Sequence, residues 1–300
     1  MRWLLAGASG FLGTALRVRL AGEGQEVVRL VRREPATSTE FRWDPNSGTI
    51  DSAAFDGVDV AVNLAGVAVA PLPWTESRRE QILSSRVDTT GTMANGLAAL
   101  TDGRRRVMIQ MSGIARYGTV SGAEPYTEDS PAAPDFLAQV TAKWEAPAQP
   151  AIDAGARVAI LRTSPVMDAS GGTFVPLKLA WSVGLGATLG DGSQRMPMTS
   201  LRDYLDVVQW AAATEHASGP YNVTLPQPTT NAEFSDALAA ALHRPRFLRV
   251  PTPIIRAALG ELAGQLVGDM YAVPERLTAD GFVFSDPTVT DVVAAALKQS

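Results

Sequence analysis

A chain of 300 residues with 46% hydrophobic and 19% charged side chains is long and apolar enough for a sizeable core, and too apolar to be disordered. Its net charge of −5 excludes a broad basic surface for nucleic acid or anionic lipid, while leaving small anions open as ligands. With no cysteine and only two histidines, His216 and His243, the composition excludes disulfides, thiolate nucleophiles, iron–sulfur clusters and most zinc sites, so no metal is expected.

Short apolar runs alternate with helix-period segments from the start, the pattern of βαβ units and a parallel sheet. Strands are predicted over residues 2–8, 26–32, 59–65, 107–112 and 157–166, with a short edge strand at 40–44. Helices are predicted at 11–21, 76–100 and 135–146. In the longest, Ile82, Val87, Met93 and Leu97 share one face, Thr75 is the expected cap and Gly91 the weak point. Pro147 and Pro150 shorten or kink the third. Beyond residue 165 comes a glycine-rich passage, with Gly171, Gly172, Gly184, Gly186, Gly190 and Gly192. A helix from Asp203, a strand at 221–225 and helices at 231–242 and 254–267 follow, then a turn at 281–287 and a last helix at 289–297. The expected fold is α/β: a Rossmann-type doubly wound parallel sheet over 1–165, rejoined by parts of 203–225. A smaller C-terminal substrate lobe is expected over 166–300. No apolar run has the length of a membrane span or the form of a signal peptide, which points to a soluble cytoplasmic protein without a membrane partner.

The most informative motif, Gly7-Ala8-Ser9-Gly10-Phe11-Leu12-Gly13, follows the first strand and opens the first helix. There Gly7 suits the tight turn, Gly10 lets the backbone approach a pyrophosphate, and Gly13 permits close helix–strand packing. Ser9, Phe11 and Leu12 complete the loop, and the helix N-terminus supplies free N–H groups. A dinucleotide fold normally places an acid at the end of the second strand to hold the ribose 2′-hydroxyl. Arg32 and Arg33 stand there instead. A guanidinium pairs with a 2′-phosphate that a carboxylate would repel, so NADP(H) is expected in preference to NAD(H). Asn63-Leu64-Ala65-Gly66, ending the strand of Val60 to Val62, forms a second cofactor wall.

GASGFLG and NLAG resemble the cofactor motifs of the short-chain dehydrogenase/reductase superfamily, among its extended members built like NAD-dependent epimerase/dehydratases. A closer similarity is to an atypical subgroup often labelled nucleoside-diphosphate-sugar epimerase. The segments FRWDPNSGTID, WTESRREQILSSRV, YTEDSP, DFLAQVTAKWE, SGPYNVTLPQPTTNAEFSDALAAAL and RPRFLRVPTPIIRAALGE carry it, with VPERLTADGFVF in the tail. The resemblance covers the whole chain, and the segment 251–297 is similar to that subgroup's own C-terminal extension. It implies a Rossmann-type sheet, NADP(H) binding and a substrate pocket, with no defined substrate. A homodimer through the helices at 76–100 and 135–146 is a habit of the superfamily.

In that superfamily a Tyr with a Lys four residues later exchanges a proton with the substrate, and a strand-ending Ser holds the substrate oxygen. By this resemblance Ser112 matches the Ser and Lys143 the Lys, both also beside the cofactor, but Gln139 stands at the Tyr position and cannot exchange a proton near neutral pH. Tyr117 is a substitute close to Ser112, while Tyr126, Glu128 and Asp129 lie on the loop that follows. Asp203 is either a second acid/base or a helix cap. Gln194 and Arg195, after the glycine-rich run, suit a polar or anionic substrate. Arg162 and Arg202 either add anion contacts or make ion pairs. The leading expectation is an NADP(H)-binding, epimerase-like oxidoreductase acting on a small polar or sugar-like molecule. Its rival is a catalytically silent NADP(H)-binding sensor or scaffold.

Overall fold

The computed structural model describes residues 1–69 and 74–298. In chain order its regular elements begin with β1 (Arg2–Ala6), α1 (Phe11–Gly22), β2 (Glu26–Val31), β3 (Glu40–Asp44), β4 (Thr49–Ile50), β5 (Val60–Asn63), α2 (Glu76–Ala98) and β6 (Val107–Gly113). There follow α3 (Phe136–Glu145), α4 (Gln149–Asp153), β7 (Arg157–Thr163), β8 (Val166–Met167), α5 (Phe174–Ser182), β9 (Ala187–Leu189) and β10 (Thr199–Ser200). The remainder comprises α6 (Leu201–Ala213), β11 (Gly219–Val223), α7 (Asn231–Ala241), β12 (Leu248–Val250), α8 (Thr252–Leu259), α9 (Gly264–Val267), α10 (Glu275–Ala279) and α11 (Val289–Leu297).

The main sheet has eight strands in the order β11-β7-β6-β5-β1-β2-β3-β4. Strand β1 pairs parallel with β2 on one side and β5 on the other, so the winding reverses beside β1, where open α/β sheets bind ligands at the carboxyl ends of the strands. The residues of β1 show why it is central. Trp3, Leu4, Leu5 and Ala6 are all buried, the unalternating run of a strand covered on both faces. The expected α/β, doubly wound architecture therefore holds. Glu40–Asp44 was expected at the sheet edge, but the turn at Gly48, with φ of 67°, folds β4 back antiparallel and makes it the last strand.

The chain divides into two compact units. The first comprises Met1–Ser112, Gln139–Leu161 and Val208–Pro220; the second comprises Gly113–Ala138, Arg162–Val207 and Tyr221–Ser300. The first unit's core joins Leu4, Val28 and Met108 of the sheet to Met93 and Leu97 of α2, with Trp43 and Phe55. Thr75 caps α2 by accepting from Arg78 N at 3.2 Å, and the helix runs unbroken through Gly91. Its constrained glycine is Gly96, where a Cβ would lie 2.7 Å from the Phe55 ring. The helix after β6 ends at Glu145, and a 3₁₀ turn containing Pro147 separates it from α4.

In the second unit, Phe174, Trp181, Phe234, Leu238 and Val292 anchor a separate core. Three expectations change here. The strand expected at 157–166 divides into β7 and β8, with Pro165 lying between them. Inside the glycine-rich passage lies α5, whose Pro176 falls in the first turn, where a missing N–H breaks no intrahelical bond. The helix expected at 254–267 stops at Gly260, whose φ of 51° ends α8 before a 3₁₀ turn and α9. Among the described residues no helix is long and apolar enough to cross a membrane.

Candidate cofactor and catalytic site

The turn from β1 into α1 needs two of its three glycines for its own geometry. Gly7 adopts φ of 76°, and a Cβ there would sit 2.7 Å from the Leu64 carbonyl. At Gly13 a Cβ would come within 2.2 Å of the Gly7 oxygen. Gly10 is different, because its Cβ would meet only that oxygen, at 3.4 Å. Gly10 is the N-cap of α1 and offers no capping side chain, while helix geometry leaves the N–H groups of Phe11, Leu12 and Gly13 without intrahelical partners. Ser9 and Gly10 are exposed at this end. The space over Gly10, with these donors and the positive helix end, is a cradle that fits a pyrophosphate.

At the end of β2 the two expected arginines have different environments. Arg33 forks onto Glu40, Nη1 to Oε2 at 2.9 Å and Nη2 to Oε1 at 2.7 Å. Arg29 reaches the same carboxylate at 2.9 Å, and Ala36 N donates to it at 2.8 Å. These donors, Arg33 first, hold the Glu40 carboxyl down to about 2. Arg32 is exposed, with no hydrogen bond or ion pair among the described residues. Arg33 is therefore already committed to the protein, and Arg32 is the guanidinium at this strand end that has no partner among the described residues.

The second wall follows from register. Leu64 N donates to Ala6 O at 3.0 Å, which brings the Leu64–Ala65 backbone against Gly7. Asn63 is fully buried: its Nδ2 donates to Gln110 Oε1 at 3.0 Å and its Oδ1 accepts from Ala65 N at 3.1 Å. It shapes the turn with its side chain, and what faces the glycine turn is the backbone of Leu64 and Ala65.

Ser112, 2% exposed, stands near the carboxyl end of β6 and donates from Oγ to Glu145 Oε1 at 2.7 Å. Sequence spacing did not single out Glu145. Lys143 and Gln139, the expected Lys and Tyr positions, are both exposed on α3, and the Lys143 ammonium has no hydrogen bond or ion pair among the described residues. One and two turns before Glu145 come Thr141 and Leu137, 5% and 8% exposed. The side of α3 facing Ser112 therefore carries a half-buried Glu145 after the buried Leu137 and Thr141, and neither register contains a Tyr followed by Lys. A serine hydroxyl hydrogen-bonded to a carboxylate can accept a proton from a bound hydroxyl while passing its own on.

The phenol of Tyr117 is engaged inside the second unit. It is 1% exposed, donates to Asn222 Oδ1 at 2.7 Å and accepts from Arg162 Nη1 at 2.9 Å. Its ring stacks on Tyr126 with centroids 5.3 Å apart, and burial pushes the phenol up, against the pull of Arg162. Arg162 also donates to Glu128 O at 2.7 Å, and burial raises the Glu128 carboxyl. These groups form an internal network of the second unit. Asp203 accepts from Ser285 N and Asp286 N at 2.7 and 3.0 Å, while Ser200 Oγ accepts from Asp203 N as the helix cap. Arg202 pairs with Asp286. Gln194 and Arg195 do line an open cleft of about 800 Å³, with Asp191, Arg249, Arg256 and Asp269. Both are engaged: Gln194 Nε2 donates to Leu189 O at 3.0 Å, and Arg195 Nε donates to Asp269 Oδ1 at 2.8 Å.

Residues 3–224 match the NAD dependent epimerase/dehydratase family, and residues 250–296 match a domain of unknown function, DUF1731. An epimerase family protein of Mycobacterium bovis is 39% identical over 294 residues, spanning 97% of this chain and 96% of its own length. The crystal structure of the human epimerase family protein SDR39U1 with NADPH is 30% identical and superposes with a TM-score of 0.88 over 99% of each chain. A nucleoside-diphosphate sugar epimerase from Corynebacterium glutamicum, 31% identical, gives a TM-score of 0.80 over 99% of this chain and 58% of that one.

Proposed function

Because the chain belongs to the NAD dependent epimerase/dehydratase family, as its motifs resemble, we propose that it is an NADP(H)-dependent oxidoreductase acting on a small polar or sugar-like substrate. The observation that carries this reading is the unpaired Arg32 at the end of β2, in the same unit as a glycine turn with room over Gly10. The NADPH in the human relative's structure supports it.

In this reading the N–H groups of Phe11, Leu12 and Gly13 hold the pyrophosphate and Arg32 holds the 2′-phosphate. The backbone of Leu64 to Gly66 excludes water from one side. When bound, the dinucleotide would supply the hydride for carbonyl reduction in its reduced form and take up the hydride of an alcohol in its oxidised form. The protein's own part is the proton. In alcohol oxidation Ser112 Oγ accepts the proton of the substrate hydroxyl while giving its own to Glu145, and reduction of the carbonyl runs the transfers backwards. This dyad takes the place of the absent Tyr and Lys.

The test is NADPH consumption across a panel of aldehydes, ketones and keto-sugars, with Glu145→Gln as the comparison. Turnover in the wild type that falls about 100-fold in the variant, at unchanged NADPH affinity, is the expected result. The absence of a Tyr-Lys pair from either face of α3 favours a second reading, a catalytically silent NADP(H) sensor or scaffold. NADPH binding without turnover on any member of the panel would decide for that reading.

A further inference from the structure

Arg86 is a buried cation that has no counter-ion among the described residues. It lies on α2 with 9% of its surface exposed, and no carboxylate among the described residues pairs with it. Its Nη1 donates to Ile82 O, one turn earlier, at 2.9 Å. The guanidinium sits over the Trp144 ring, with Cζ 4.9 Å from the centroid. Trp144 is equally buried, and its indole Nε1–H has no acceptor. The indole N–H is thus buried without an acceptor, and beside it the rest of the Arg86 fork has no hydrogen-bond acceptor among the described residues.

Their position is fixed by the loop after β5. Ser85 accepts from Val67 N at 3.2 Å, and Thr89 accepts from Asn63 Nδ2 at 3.4 Å, so the face of α2 that carries Arg86 is laid against residues 63–67. A Cβ on Gly66 would lie 3.4 Å from Arg86 Cγ and 3.6 Å from Cζ. Gly66 is therefore the small floor against which the arginine packs. All of these residues belong to the first unit, as do Ser112 and Glu145.

Burying an unpaired charge is costly, and the face of one indole offsets only part of that cost. Burial, with Arg78 adding to it, brings the Arg86 guanidinium down to about 10. A guanidinium presents a planar fork of donors suited to two oxygens of one anion. We propose that Arg86 and Trp144 form a binding site for an oxyanion, a carboxylate or phosphate group, lodged between the Gly66 loop and α3. The anion belongs either to the dinucleotide or to a second ligand. The site does not depend on the chain being a catalyst.

The experiment uses the full chain and inorganic phosphate as the probe, added at constant ionic strength. Intrinsic fluorescence is read in the wild type, Trp144→Phe and Arg86→Gln, since Trp144 is one of six tryptophans and its share must be isolated. Phosphate should change the fluorescence saturably and raise the melting temperature. Trp144→Phe should lose the fluorescence change, and Arg86→Gln should bind phosphate about tenfold more weakly or worse. A parallel NADPH titration separates the sources. If the oxyanion is the dinucleotide's, NADPH displaces phosphate and Arg86→Gln weakens NADPH by a similar factor. If it is a second ligand's, phosphate binds alongside NADPH and the NADPH affinity of the variant is unchanged. Should Arg86→Gln fail to fold, Arg86→Lys keeps the charge without the fork, and weaker phosphate binding there, with the wild-type melting shift, carries the test. No saturable response of the wild type to phosphate, or a response that both Arg86 variants share in full, would overturn the proposal.

Discussion

Gly10→Ala and Gly13→Ala lie three residues apart in one turn and should have opposite consequences. At Gly10 the backbone has φ of −75° and ψ of 174°, open to any L-residue, and the new methyl meets only the Gly7 oxygen at 3.4 Å. Exchanging glycine for alanine at an N-cap costs about 1 kcal/mol at most, a shift of about 2 °C in melting temperature for a chain of this size. The same methyl projects into the cradle over α1. Inserting a methyl into a filled contact costs roughly 1–3 kcal/mol, or about 5- to 150-fold in NADPH affinity. At Gly13 the methyl would lie 2.2 Å from Gly7 O and 2.8 Å from Ala8 Cα, both backbone atoms that cannot rotate away. Gly13→Ala should therefore cost roughly 3 kcal/mol or more of stability. Melting curves and NADPH titrations of both variants separate the effects. A Gly10→Ala protein that binds NADPH as the wild type does would refute the assignment of the cradle, whatever Gly13→Ala does.

Two further outcomes rest on single groups. The folded Glu40 carboxyl, held down to about 2 from an ordinary 4.5, contributes stability that is fully present above about 4.5 and fades as pH falls towards about 2. Urea midpoints measured across that window should show a steeper acid loss in the wild type than in Glu40→Gln, and parallel curves would contradict the role given to Arg33 and Arg29. Tyr117→Phe removes a buried hydroxyl that serves both Asn222 and Arg162, and should lower stability by about 1–3 kcal/mol with NADPH affinity intact. A loss of turnover in a Tyr117→Phe protein of normal affinity would return that phenol to the chemistry.

How far the sequence could be read depends on whether a residue's role is local. The glycine turn was legible because its spacing, its place between strand and helix and its left-handed Gly7 are properties of seven consecutive residues. The arginines after β2 were legible as a pair. Which of them is unpaired depends on Glu40, brought alongside by the parallel register that sets Arg29 against it. On α3 the pair four apart that the motif points to, Gln139 with Lys143, lies on the exposed face, and only packing shows that Leu137, Val140, Thr141 and Trp144 are the buried positions. Tyr117 lies five residues from Ser112 in sequence, yet its hydroxyl is directed to Asn222, more than a hundred residues away. An arginine in a polar stretch such as SSRVDTT reads as a solvated helix residue, so Arg86 came to light only through its burial and its contact with Trp144.

The central claim, that Arg32 selects a 2′-phosphorylated dinucleotide, is tested most directly by calorimetric titration of NADPH and NADH into the wild type, Arg32→Gln and Arg33→Gln. The wild type should prefer NADPH, and Arg32→Gln should lose about tenfold or more in NADPH affinity while NADH is unaffected. Arg33→Gln should keep the preference, because its guanidinium belongs to Glu40. Equal affinity of the wild type for both dinucleotides, or a preference that survives Arg32→Gln and disappears in Arg33→Gln, would contradict it.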